Sequence, residues 1–349
     1  MSLSSPAIDQ SAPPRTHLPA GVLLGGALVV VVAVSVVSLL VGSRGLDPAT
    51  VWSALWSNTD AEAHAIVVGQ RLPRTLIGLA GGAALALAGA VIQGHTRNPL
   101  ADPGLLGVTA GASLAVVTAI VVFGLTTPLG YLWFAFVGAA LGTAIVTFIG
   151  IVAGRSRDAS PAALVLAGAA VSAFLSAATG IVLLLDSTAL DLYRFWTVGS
   201  LAGGRGLDVL LPVLPFIIVG IVLALSQSRA LDVLSLGDDV ARSLGRRLLP
   251  TRLLGFATVT VLVGAATSIV GSLGFIGLVA PHAVRRFTGP GHRMLLPMSA
   301  LAGAAITVLA DIIGRLVVSP AELPVGIVLG VLGGPAFLVI IARMKAARS

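Results

Sequence analysis

The sequence predicts an all-α polytopic membrane protein with about ten transmembrane helices and a short cytoplasmic helix between the sixth and seventh. Three observations carry that prediction. Of 349 residues, 56% are hydrophobic and only 10% charged, whereas a soluble domain carries about 25% charged residues. Apolar runs of roughly 20 residues, the length that crosses a bilayer as a helix, recur along the chain. The 42 glycines and 19 prolines suit close-packed and broken membrane helices. The runs are twice the roughly ten-residue alternating segments of a β-barrel.

Residues 1–19 are Ser/Pro-rich and read as a disordered tail. Ala20 to Val41 is longer than a signal-peptide core and lacks a convincing cleavage site, so it is expected to persist as the first span, 20–42. Further spans are expected at 72–93, 104–125, 130–153, 161–185, 207–228, 251–271, 273–288, 296–318 and 324–342. Residues 20–342 thus form one transmembrane domain, followed by a tail at 343–349. The eighth run, GSLGFIGLVAPHAVRRF, is short and marked by Gly and Pro, and is expected to bend or to cross only partly.

Ten spans put both termini on one side. With the termini in the cytoplasm, 15 of 21 basic residues fall in inner segments, leaving Arg44, Arg71, Arg74, Arg194, Arg205 and Arg315 outside. That bias is the positive-inside pattern. It accounts for the pI near 11.3 without nucleic acid as a partner. It also strands Arg71 and Arg74 on the side where the rule does not expect them.

Two outer loops are long. In the first, 43–70, Trp52 and Trp56 suit an interfacial helix; in the second, 186–206, Tyr193, Phe195 and Trp196 read as an aromatic belt. The longest inner loop, 226–252, holds Leu236-Gly237-Asp238-Asp239, a helix start with acids at its N-terminus. Val240, Ala241 and Leu244 are expected to share one face of a short helix that Gly245 ends. Such a helix either docks in a partner's groove or lies on the membrane surface. A faint inverted repeat relates the runs from Arg74 and Arg252, a pattern common in transporters.

Cysteine is absent, so no disulfide, thiolate site or cysteine nucleophile exists. The lone lysine, Lys345, follows Met344, so the chain has no P-loop. The histidines His17, His64, His95, His282 and His292 show no metal-ligand spacing on a membrane helix, and no metal or cofactor is expected on this chain. An enzyme acting alone is not expected. Within the spans only Asp311 is a well-embedded acid, and Arg315 at i+4 is its expected partner. This counts against the rival reading, an ion-coupled secondary transporter, which needs a buried coupling site.

The stretch from Gly89 to Ser113 reads as a helix end, an Asn98-Pro99 turn, and Asp102 capping a turn that Pro103 begins. The following helix, rich in small residues, suits close packing.

Six blocks resemble, in order, those of the FecCD family: RLPRTL, NPLADPGLLGV, SLGFIGLVAPH, HRMLLP, ADIIGR and AELPVGIVLGVLGGPAF. These are membrane subunits of type II bacterial ABC importers for ferric siderophores, haem and vitamin B12. RFWTVGSL and SRALDVLSLGDDVARSLG look closest to the ferric-siderophore members, with haem and vitamin B12 as alternatives. The resemblance implies a vitamin B12 permease-like fold in the bacterial inner membrane, with both termini cytoplasmic. It implies a second permease subunit, identical or related, and two cytoplasmic ATP-binding subunits that hold ATP and magnesium. An extracytoplasmic substrate-binding protein completes the importer.

By the same resemblance, Gly237, Asp238, Asp239, Ala241, Leu244 and Gly245 form the ATPase-coupling helix. Arg71, Arg74 and Arg315 meet acidic residues of the binding protein. Asn98, Leu100, Ser160, Pro161 and Ala162 form the inner gate, although RDASPAAL lacks the hydroxyl-rich character of some members. The path is expected to be lined by the second, fifth and tenth spans.

Overall fold

The computed structural model describes residues 19–42, 44–153, 161–202, 206–318 and 321–346. Each of the ten expected spans is a helix. They are α1 (Ala20–Leu40), α4 (Leu72–Thr96), α5 (Val108–Phe123), α6 (Pro128–Ala153), α7 (Pro161–Leu185), α9 (Leu207–Ser226), α12 (Leu248–Val270), α13 (Ile276–Thr288), α14 (His292–Val317) and α15 (Val325–Ala346). Between them lie short helices: α2 (Pro48–Trp56), α3 (Ala61–Ile66), α8 (Ser187–Val198), α10 (Ser228–Ser235) and α11 (Asp238–Ser243). Among the described residues, seven helices are long and apolar enough to cross a membrane alone, and Val108–Phe123 and Val325–Val339 are shorter apolar helices.

Aspartates set the starts of the peripheral helices. Asp47 accepts from Ala49 N before α2, with Pro48 in the first turn. Asp60 accepts from Glu62 N and Ala63 N before α3, and Asp186 from Thr188 N and Ala189 N before α8. Each satisfies amides that would otherwise lack a partner. One π-helical turn, Val67–Arg71, joins α3 to α4 in a continuous rod.

Helix α4 is the central post. It packs against α9, α12, α13 and α14, and every residue from Ala84 to His95 is buried. Its second half is therefore packed on all sides within this subunit. Exposed apolar faces run along α1, α6 and α9 as well as α7 (Leu166, Phe174, Ile181, Leu184) and α15 (Val331, Leu332, Leu338). The contact of α4 with α14 is built on glycine: a methyl at Gly82 would strike the Gly303 carbonyl and Thr307 Oγ1, and one at Gly303 the Gly82 carbonyl. Backbones that close gain dispersion contact that bulkier residues forbid.

Helices α4 and α12 start at opposite ends of the bundle, and each is followed by a chain that turns back into it. After α4, residues 97–107 re-enter, and a 3₁₀ turn (Pro103–Leu106) sits among α4, α5, α6, α7 and α12. After α12, residues 271–275 fold inward to start α13 beside α4. Each short following helix begins after a left-handed residue, Gly107 (φ 71°) or Phe275 (φ 67°). Helix α13, at 13 residues, is about 20 Å long, too short for a hydrocarbon core of about 30 Å, as its Gly/Pro marking predicted.

Candidate functional site

The two ends of the bundle carry separate polar constellations. At the end where α1 finishes, Arg71 and Arg315 close the C-terminus of α1. A helix leaves its last carbonyls without intrahelical partners. Arg71 Nη1 donates to Leu39 O (2.7 Å) and Leu40 O (2.9 Å). Arg315 Nη1 donates to Ser38 O (3.0 Å) and Val41 O (2.9 Å), and its Nη2 to Ser38 Oγ (2.7 Å). Four consecutive orphan carbonyls are thereby satisfied by two cations, which also suits the negative end of the helix dipole. Arg71 also donates to Arg44 O, holding the chain that leaves α1.

Arg74 lies one turn beyond Arg71 and reaches α14. Its side chain pairs with Asp311 at 2.7 Å and with Glu322 at 2.6 Å. The expected i,i+4 pair is also present, Arg315 Nη2 to Asp311 Oδ2 at 3.1 Å. Arg71 and Arg315 are buried and the Arg74 side chain is 12% accessible, and with Glu322 all three line a pocket also bordered by Gly42, Arg44, Ile66 and Gln70. An exposed Arg44–Glu62 pair stands beside it. Of the three arginines expected at a docking face, Arg74 is the most accessible.

The aromatic loops resolve differently. Trp52 and Trp56 stand exposed on α2 with ring centroids 5.9 Å apart. Trp196 is 1% exposed and belongs to the core, stacked on Tyr193 at 5.9 Å, while its neighbour Phe195 points outward. The belt reading therefore fails for Trp196, because α8 turns that side of the helix inward.

At the opposite end, α11 is held between two left-handed glycines, Gly237 (φ 110°) and Gly245 (φ 78°). Ala241 is fully buried, whereas Leu236, Val240 and Leu244 are exposed. The expected common face of Val240, Ala241 and Leu244 is thus split: Ala241 anchors the helix and the two larger residues face away. Asp239 is fully exposed and pairs only locally with Arg242 (2.9 Å). Asp238 instead binds Arg97 (3.2 Å) and Arg252 (2.7 Å).

Arg97 caps α4 in a left-handed conformation, φ 51°. The next residues form the turn expected at Asn98, whose Oδ1 accepts from Leu100 N (3.0 Å) and whose carbonyl accepts from Ala101 N (3.1 Å). Asp102 Oδ1 accepts from Gly104 N (2.8 Å) with Pro103 leading the 3₁₀ turn, as predicted. Of the other expected gate residues, Ser160 and the side chains of Pro161 and Ala162 lie outside the described residues.

Several polar residues that sequence reasoning passed over join these parts. Pro281 has no N–H, so it leaves the Gly277 carbonyl without its i+4 donor; Gln93 Nε2 supplies one at 3.0 Å. Arg285 Nη2 in turn donates to Gln93 Oε1 (3.0 Å). His95 Nε2 donates to Gln227 Oε1 (3.2 Å), and Gln227 Nε2 to Thr258 Oγ1 (2.8 Å). Asp232 on α10 accepts from both the backbone N (2.8 Å) and Nδ1 (2.7 Å) of His292, fixing α10 to the start of α14. The missing i+4 donor at Pro281 was the one sequence signal among these. Among the described residues, no group of His, Cys, Asp and Glu could hold a metal ion.

Comparison with known proteins agrees with this architecture. The model of the FecCD transport family matches residues 15–343. The chain is 43% identical over 318 residues to the ferric enterobactin transport system permease protein FepD of Escherichia coli, covering 91% of this chain and 94% of that one. It is 39% identical over 328 residues to the hemin transport system permease protein HmuU of Yersinia pestis, covering 94% and 97%. A solved inward-facing metal-chelate type ABC transporter superposes with a TM-score of 0.80 at 30% identity, over 93% of this chain and 99% of that one. With the helix order, the re-entrant turns and a match across nearly its whole length, the chain belongs to the FecCD transport family.

Proposed function

We propose that this chain forms the translocation path for a ferric siderophore in an ATP-driven importer of the inner membrane. The observation that carries the cargo is 43% identity across 94% of a ferric enterobactin permease. With no P-loop lysine here, ATP and magnesium sit on two cytoplasmic partner subunits. The exposed Leu236, Val240 and Leu244 on and beside α11 suit a groove on such a partner. The α11 end is accordingly cytoplasmic, with both termini, and the Arg74 end faces outward.

On the outward face, an incoming carboxylate of the binding protein would meet Arg74 by displacing Glu322. Arg71 and Arg315 hold the helix ends that frame that spot. A second permease subunit would cover the exposed apolar faces of α7 and α15, enclosing the path between the two copies. Asn98 and Leu100, with residues 160–162, close the inner end until ATP-driven motion of α11 opens it.

Uptake by proteoliposomes tests this. The permease, its ATPase subunits and the cognate binding protein should accumulate a ferric catecholate siderophore in an ATP-dependent manner, in preference to haem and cobalamin. Haem uptake at equal or higher kcat/KM would move the cargo to the second reading, which the hemin relative favours at 39% identity. Gradient-driven accumulation by the permease without ATPase subunits would overturn the importer reading.

A further inference from the structure

Two adjacent aspartates begin α11, and their surroundings differ completely. Asp239 is fully exposed, with Arg242 as its partner one turn on. Asp238 turns back into the bundle and divides its carboxylate between two helices. Oδ1 faces Arg97 Nη2 at 3.2 Å and Oδ2 accepts from Arg252 Nη2 at 2.7 Å. Arg252 is 2% exposed and lies in the second turn of α12. Arg97 is the last residue before the Asn98–Leu100 turn. One carboxylate thus joins α11, the end of α4 with its turn, and the start of α12.

We propose that Asp238 is the positioning residue that transmits movement of α11 to the Asn98–Leu100 turn, through Arg97 on one oxygen and Arg252 on the other.

The geometry favours a rigid link at Asp238 and freedom around it. Charge-assisted bonds to a carboxylate are short and directional, and both arginine partners are held by other structure. Arg97 sits at a helix cap, and Arg252 in a helix packed against α4. The left-handed Gly237 and Gly245 bracket α11 and let it reorient as a unit. On the other side, the Asp232–His292 contact (2.7 Å) ties α10 to α14, so α11 pivots against a fixed neighbour. Displacing α11 therefore pulls on Arg97, and the turn that follows has no residue between to absorb the motion. The link rests on the reading of α11 as the ATPase contact, and the test separates the two.

The test uses the complete transporter in proteoliposomes. Because the chain has no cysteine, a fluorophore placed on Leu100→Cys of the purified permease before assembly reports the turn alone. Asp238→Asn keeps the shape and removes the charge. The expected result is unchanged assembly and ATP hydrolysis, cargo per ATP reduced about ten-fold, a size typical of allosteric coupling, and a Leu100 signal no longer responsive to ATP. Arg97→Gln should do the same, and the double variant should be no worse than Asp238→Asn, because both break one connection. Asp191→Asn, which breaks an equally local exposed pair with Arg194 on α8, should behave as wild type. A normal ratio of cargo to ATP in Asp238→Asn would overturn the proposal. So would loss of the ATPase subunits in that variant, which would make Asp238 a direct contact. Val240→Glu, on the exposed face, tests the underlying reading separately: if the ATPase subunits still bind it normally, α11 is not their docking helix, whatever Asp238 does.

Discussion

Arg74 and Asp311, 237 residues apart, are joined by three hydrogen bonds: Arg74 Nε donates to both carboxylate oxygens at 3.0 and 2.9 Å, and Nη2 donates to Oδ1 at 2.7 Å. Asp311 is 1% exposed and also holds Arg315. Removing it takes a buried carboxylate from two guanidinium groups at once, leaving Arg74 with Glu322 and Arg315 with the acceptors at the end of α1. Asp311→Ala is therefore expected to destabilise the subunit by about 3–5 kcal/mol, the cost of breaking a buried pair. Thermal unfolding of the purified protein in nanodiscs measures this, and a loss below about 1 kcal/mol would show that the arginines find other partners.

The cap on α1 makes a local prediction. Helix α1 is exposed along most of its length and packs chiefly on α14. Its C-terminal turn relies on Arg71 for the carbonyls of Leu39 and Leu40. In Arg71→Ala both acceptors lose their donor, at about 1–3 kcal/mol for an unsatisfied buried group. Hydrogen exchange should then accelerate by roughly thirty-fold in the last turn of α1, a local opening cheaper by about 2 kcal/mol. Protection in α12 should not change. Equal loosening of both helices would mean that Arg71 supports the whole bundle instead.

Sequence could show the helices but not these partners. Long apolar runs and the Gly/Pro marks of the eighth span made ten elements visible, and Asp102-Pro103 announced a cap by local spacing alone. Arg315 and Asp311 were legible as a pair because i+4 neighbours meet on one helix face. What Arg71 binds was not legible, since its partners are backbone carbonyls, and every residue carries one. Arg74 could be matched to Asp311 and Glu322 only after α4 and α14 were packed together. Asp238 and Asp239 read alike as helix-start acids, and only the fold separates the internal one from the exposed one. For Trp196, composition favoured an interface because Trp prefers it; the buried side of α8 decides otherwise.

Glycine placement gives a contrast within one subunit. A methyl at Gly303 would strike the Ala86 side chain and the Gly82 carbonyl, so α4 and α14 must separate to admit it. A methyl at Gly330 of α15 meets nothing within 4 Å. Gly303→Ala is expected to cost about 1–3 kcal/mol as an overpacked contact, while Gly330→Ala leaves subunit stability unchanged. Unfolding temperatures of the two variants, measured side by side, decide this. A larger loss from Gly330→Ala would place α15 against a tight interface with the second permease subunit.

Glu322 offers a direct test of docking. It occupies Arg74 Nη1 at 2.6 Å while remaining about a quarter exposed, its side chain 28% accessible. If a carboxylate of the binding protein is to use that nitrogen, Glu322 is its competitor. Glu322→Gln removes the competing charge but keeps the shape, so the binding protein should associate more tightly, by up to about 1 kcal/mol or five-fold in Kd, the scale of an exposed pair. Arg74→Ala should weaken association by a similar factor. The wild-type affinity should also fall as salt rises, because exposed charges are screened within about 10 Å at 0.1 M. Charge reversal at Arg71 is the wrong probe, since a glutamate there would face the carbonyls that end α1 and damage folding before docking. Biosensor titration of the binding protein onto nanodisc-held permease reads all three effects. A Kd indifferent to both Glu322→Gln and Arg74→Ala would remove Arg74 from the docking face and leave it a structural clamp between α4 and α14.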